Sequence, residues 1–146
     1  RFAALGFSLP VIIHPSAVIA PDVEIGAGSV IFAQAVIQPC CRIGDGAIVN
    51  TAATVDHDCI LGGFVHISPG AHLAGGTQIG GGSWIGIGAC TRQQIKIGAN
   101  VIVGTGAAVV SDVSDGLTVV GNPAKPLIRP SENTLATKSE QADGQK

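Results

Sequence analysis

From Ile13 onward an aliphatic residue returns at every sixth position, through Ile19, Ile25, Ile31, Ile37 and Ile43 to Ile97, Val103 and Val109, without an insertion. Thr91 alone breaks the series. Four residues after each beat stands a second inward candidate, usually small, among them Ala17, Ser29, Ala35, Cys41, Ala47, Cys59, Ala71, Thr77 and Ala89, continuing to Val113. A helix would space its apolar positions at three and four, and a plain strand at two. A strict six over this length fits short strands joined by turns at one fixed phase, which is a solenoid. β-Branched residues dominate the beat, as a packed strand surface prefers. Glycine follows the beat at Gly26, Gly44, Gly62, Gly80, Gly86, Gly98 and Gly104, where it is expected to supply the backbone angles of sharp corners.

Over residues 13 to 127 this pattern resembles the hexapeptide-repeat superfamily of left-handed parallel β-helices. The resemblance implies an all-β fold in which three hexads close one triangular coil, giving about six coils, and it implies a trimer of such prisms. The left hand comes from the resemblance, since the crossover rule for parallel strands alone favours the right. The expected organisation is a remnant of an upstream domain or linker at 1–12, a β-helix domain with its terminal cap at 13–127, and a polar C-terminal tail at 128–146. The chain lacks methionine, so Arg1 is read as following something upstream rather than as a translation start.

Composition narrows the partners. Charged residues are 12%, aromatics 3% and the net charge −2, which gives no electrostatic or stacking case for nucleic acid or an anionic membrane surface. No uninterrupted apolar run reaches the length of a membrane span. The four cysteines form no C-x-x-C and no zinc-ribbon spacing. Cys41 and Cys59 fall in one inward column and read as small core fillers in a reducing cytoplasm.

A narrow rod without a cavity must do its chemistry on its surface or between prisms. The densest polar group is NTAATVDHDCILGGFVHISPGAHLAGG, residues 50 to 76, which holds three of the four histidines. Adding eighteens along the chain gives the columns. His57 shares a corner with Pro21, Pro39, Gly75 and Gln93, so a residue without a side chain lies beside its imidazole. Ile87 and Thr105 share another corner with Pro69, and His66 stacks between Ile48 and Trp84. Open space beside one histidine and a flat neighbour beside the other suggest a site around His57; the plain alternative is an exposed corner residue.

The string V-D-H-D-C-I-L-G-G-F-V-H-I-S-P-G-A, with V-x-G-N-P-A-K at Val119 to Lys125, is similar to the sugar acetyltransferase branch of the superfamily. That branch contains sialic acid O-acetyltransferases and N-acetyltransferases of UDP-linked 4-amino sugars. The resemblance implies a homotrimeric, cytoplasmic acyltransferase with acetyl-CoA as co-substrate, no metal, and an amine or hydroxyl of a bacterial amino sugar or sugar nucleotide as acceptor. Position by position, it makes His57 the general base and Asp58 the acid that raises its basicity. His66 and the Gly75 N–H would meet the thioester end, Ile87 and Thr105 the pantetheine arm, and Lys125 a CoA phosphate. Attack on the thioester is expected to be direct, because no serine or cysteine has a base partner at suggestive spacing. Two other readings are a γ-carbonic-anhydrase-like metalloenzyme, invited by His57, His66 and His72, and a non-catalytic scaffold.

Overall fold

The computed structural model describes residues 3–128, and within them the chain winds as a parallel β-solenoid of three sheets. Two-residue strands follow one another from Ile12–Ile13 to Ala108–Val109, each stepping to the next face of a triangular prism. Every third strand joins the same sheet. The eight-stranded face carries Ile12–Ile13, Val30–Ile31, Ile48–Val49, His66–Ile67, Trp84–Ile85 and Ile102–Val103 before its last two strands. The six-stranded face includes Thr54–Val55, His72–Leu73, Cys90–Thr91 and Ala108–Val109. The five-stranded face includes Ile60–Leu61, Gln78–Ile79 and Lys96–Ile97. The sole helical element among the described residues is the 3-10 turn Ala3–Leu5, and no helix there is long and apolar enough to cross a membrane.

From Val30–Ile31 to Thr118–Val120 the second residue of each strand is buried. Ile31, Ile37, Val49, Val55, Ile67, Ile85 and Val109 are all at most 1% exposed, and the small column of Ala35, Cys41, Ala47, Ala53, Cys59 and Ala71 fills the space between them. Each buried aliphatic rung contributes on the order of 1.5–3 kcal/mol. Outward residues distinguish the faces. The five-stranded face is polar at its two ends, with Glu24 facing Arg42 and Gln78 facing Lys96, and carries the exposed Ile60 between them. The eight-stranded face is apolar and aromatic, with Ile48, His66, Trp84 and Ile102 in a row.

Two expectations need correction. The glycines that follow the beat do not have left-handed angles; they lie where one coil meets the next. A Cβ at Gly44 would come 2.6 Å from the Gly63 nitrogen, and one at Gly62 2.5 Å from that of Gly81. The left-handed corner falls two residues later, where Gly46 and Gly82 alternate with Cys40, Asp58, Phe64 and Gln94. The second correction concerns Val113, which is not in the small inward column. It bridges Ile97, and Val119 pairs with Val103, so the final coil is two residues shorter than the others. Beyond it, Thr118–Val120 and Lys125–Pro126 form an antiparallel pair whose turn reaches back to Ala108. The polar tail expected at 128–146 lies, apart from Ile128, outside the described residues.

Candidate active site

His57 stands on the corner between the six- and five-stranded faces, in the turn from Thr54–Val55 to Ile60–Leu61. Its neighbours in the chain fix it. The Asp56 carboxylate accepts the His57 backbone N–H at 2.8 Å. Asp58 adopts a left-handed φ of 59° and anchors its own N–H on the Pro39 carbonyl at 3.1 Å. This conformation turns the Asp58 carboxylate back to His57 Nδ1, at 2.7 Å. A carboxylate can only accept, so the bond places the ring proton on Nδ1 and leaves the Nε2 lone pair free. The hydrogen bond to Asp58 holds the His57 pKa above its ordinary value, and the negative charge of Asp56 adds to the effect. Cys40, one coil below, is tied instead to Asp22 by its N–H and its thiol.

Gly75 completes this corner. A Cβ there would lie 2.6 Å from Cε1 and 2.7 Å from Nε2 of His57, so the imidazole occupies the space that any other residue would need. The Gly75 carbonyl accepts the Gln94 N–H at 2.9 Å, whereas its own N–H has no acceptor among the described residues. His57, Asp58, Gly75, Gln93 and Gln94 line an open cleft of about 450 Å³. A free base and a free backbone donor side by side can take a proton and stabilise a developing oxyanion.

His66 is elsewhere. It lies on the outer side of the eight-stranded face, stacked on Trp84 with ring centroids 5.1 Å apart and planes 19° off parallel. Trp84 is fixed in turn by donating its indole N–H to Ser68 Oγ at 2.7 Å. Asn50 donates its amide to His66 Nε2 at 3.2 Å, and burial holds the His66 pKa below its ordinary value, so the ring is a neutral wall rather than a charge. His66, Trp84, Ile87, Ile102 and Thr105 line a largely apolar cleft of about 440 Å³. Its position is the corner between the eight- and six-stranded faces.

The predicted residues therefore divide into two groups within one chain. His57, Asp58 and Gly75 share one corner, while His66, Ile87 and Thr105 share another with Trp84 and Ile102. Trp84 and Ile102 were not among the residues chosen from sequence; their outward strand phase beside His66 was the available signal. Lys125 is exposed in the terminal antiparallel pair and lines neither cleft. His72 bonds Thr54 Oγ1 on the six-stranded face, so His57, His66 and His72 do not converge as metal ligands would. Burial pushes the Cys59 thiol up to about 12, and Cys41 and Cys59 are both free and buried, which suits core fillers and not nucleophiles.

Comparison with known proteins gives the family. No family model matches the chain. No curated protein matches it either. Solved structures do. The acetyltransferase domain of PglB from Neisseria gonorrhoeae FA1090 is 62% identical with a TM-score of 0.85, over 86% of this chain and 61% of that one, and a second structure of it is a complex with acetyl coenzyme A. PerB from Caulobacter crescentus, in complex with CoA and GDP-perosamine, is 44% identical with a TM-score of 0.86, over 86% of this chain and 61% of that one. WeeI from Acinetobacter baumannii AYE is 36% identical with a TM-score of 0.72, covering 77% and 56%. The chain belongs to the hexapeptide-repeat acyltransferases. Within them it groups with the PglB acetyltransferase domain and the perosamine N-acetyltransferase. It spans about three fifths of the length of these structures.

Proposed function

We propose that this protein transfers the acetyl group of acetyl-CoA to an amine of a sugar nucleotide. The observation that carries the reading is the His57–Asp58 pair, whose imidazole lies against Gly75, a residue whose N–H has no acceptor among the described residues. The acceptor amine attacks the thioester carbonyl while His57 Nε2 removes its proton. The carbonyl oxygen becomes an oxyanion opposite the Gly75 N–H, and collapse expels CoA, whose sulfur recovers the proton from the imidazolium. Asp58 keeps Nδ1 protonated and the ring in place. One relative, described as a GDP-perosamine N-acetyl transferase, supports an amine over a hydroxyl, and another, solved with acetyl coenzyme A, supports the donor.

The apolar cleft of Trp84, Ile87, Ile102 and Thr105 suits the pantetheine arm, with His66 at one wall. Lys125, in the hairpin beyond Thr118 on the same sheet, is our candidate for a CoA phosphate. Because the base corner and this cleft belong to different corners of one prism, we place the working site between subunits of a homotrimer. The base comes from one protomer and the cleft from its neighbour. Four free thiols fit a cytoplasmic setting. We read residues 13–127 as the acetyltransferase domain and 1–12 as the link to a segment that selects the sugar.

The test is release of CoA thiol from acetyl-CoA over a panel of amino-sugar nucleotides, free amino sugars and sialic acid, with His57→Ala as control. Transfer to an amino-sugar nucleotide, lost in His57→Ala, is the expected result. Mixing His57→Ala with Ile87→Asp tests the shared site. Two inactive homotrimers should regain activity when reassembled together, and failure of stable mixed trimers to do so refutes the intersubunit arrangement.

A further inference from the structure

Thr91, the one residue that breaks the aliphatic beat, lies directly beneath the base corner, and it changes the hydrogen bonding there. On the six-stranded face the residue after each strand donates its N–H to a carbonyl of the next coil, as Ala20 does to Ile37, Gln38 to Val55, Asp56 to Leu73 and Arg92 to Val109. Ala74 does not. Its N–H goes to the Thr91 side-chain oxygen at 3.0 Å. The pairing of this strand with the next keeps His72 opposite Cys90 but loses the rung between Leu73 and Thr91. The Thr91 hydroxyl also meets that of Thr77 at 3.0 Å, and Thr77 donates to the Ala74 carbonyl at 2.6 Å. Thr77 is fully buried and Thr91 is 9% exposed.

We infer that Thr91 and Thr77 are positioning residues that aim the Gly75 N–H at the reacting carbonyl, an inference that rests on the acetyltransferase reading. The Ala74 carbonyl and the Gly75 N–H belong to one peptide unit, and in a trans peptide they point in opposite directions. Thr77 holds the carbonyl toward the interior, with the Cys59 thiol also donating to it at 3.4 Å. The N–H is therefore turned outward, to the side where His57 stands. Thr91 fixes both ends of this arrangement. It accepts the Ala74 N–H on one side and orients the Thr77 hydroxyl on the other. A buried hydroxyl pair in an otherwise aliphatic ladder is costly unless fully bonded, and here each hydroxyl has a partner.

The test replaces Thr91 with Val, which restores the beat and permits the ordinary bond from the Ala74 N–H to the carbonyl of residue 91. Thr91→Val is expected to melt at or above the wild-type temperature while kcat falls about tenfold, less than the loss of a whole oxyanion donor. KM for acetyl-CoA and the acid limb of the pH profile should be unchanged, because neither the cofactor cleft nor the Asp58 bond is touched. Thr91→Ser should restore kcat, and Thr77→Val should mimic the defect. In amide-resolved NMR, acetyl-CoA should shift the Gly75 signal of the wild type more than that of Thr91→Val. Unchanged kcat in Thr91→Val, with an active wild type, overturns the inference and leaves the acetyltransferase reading intact. No transfer by the wild type to any acceptor removes that reading, and the inference with it.

Discussion

Gly75→Ala is the most direct test of the base corner. The new methyl would sit 2.6 Å from Cε1, 2.7 Å from Nε2 and 3.2 Å from Cδ2 of His57. Carbon atoms in contact prefer about 3.5–4.0 Å, so the ring must retreat by roughly 1 Å. It has room to do so, since 61% of the His57 side chain is exposed. The retreat costs the 2.7 Å bond from Nδ1 to Asp58, which fixes both the tautomer and the direction of Nε2. A displacement of about 1 Å at a reacting group lowers rates by on the order of a hundredfold. Gly75 has no left-handed φ, so alanine brings no backbone penalty and stability should move by less than about 0.5 kcal/mol. The assay is steady-state CoA release with thermal unfolding measured in parallel. A hundredfold fall in kcat at unchanged melting temperature is expected. Wild-type kcat in a folded Gly75→Ala would mean that His57 does not act from the position seen here.

Other outcomes follow from the same geometry. His57→Ala should lower kcat by two to four orders of magnitude with acetyl-CoA binding mostly kept, as calorimetry can check. The raised His57 pKa means that the free base is lost as pH falls through a value above the ordinary 6.5, so kcat/KM should decline on that acid limb. Asp58→Asn removes the main cause of the shift; the limb should move to lower pH while the plateau falls, and an unmoved limb would show that another group titrates. Trp84→Ala removes the plate against which His66 stacks and should raise KM for acetyl-CoA more than it lowers kcat. Ile67→Ala, at a fully buried rung, should cost about 2–5 kcal/mol in denaturant unfolding.

Counting by eighteen carried the sequence reading a long way. It put Gly75 against His57, His66 against Trp84 and Ile87 beside Thr105, because in a solenoid without insertions spacing alone decides which residues stack. It stopped where the coil shortens at Val113, since a deletion of two is invisible until the next strand finds its partner. The glycines after the beat were assigned the wrong cause because close approach and corner angle leave the same letter in the sequence. Thr91 looked like a lapse in the pattern; its hydrogen bonds to Ala74 and Thr77 depend on side-chain rotamers that periodicity does not encode. The separation of His66 from His57 within one chain was implicit in their spacing of half a coil.

The shortened last coil also says how such a rod can change length. Every strand from the first to Ala108–Val109 has a partner one full coil away, whereas Val113 and Val119 keep their faces across a coil two residues shorter. A whole coil could be removed or duplicated with every later side chain still on its own face. The two-residue loss occurs after Ala108–Val109, where only one bridge and the closing hairpin remain to be placed. Among the described residues only the strands Ile12–Ile13 and Val18–Ile19, less than one coil, precede Asp22, which pins Cys40 beneath the base corner, so a whole coil could be added there while the chemistry stays in register.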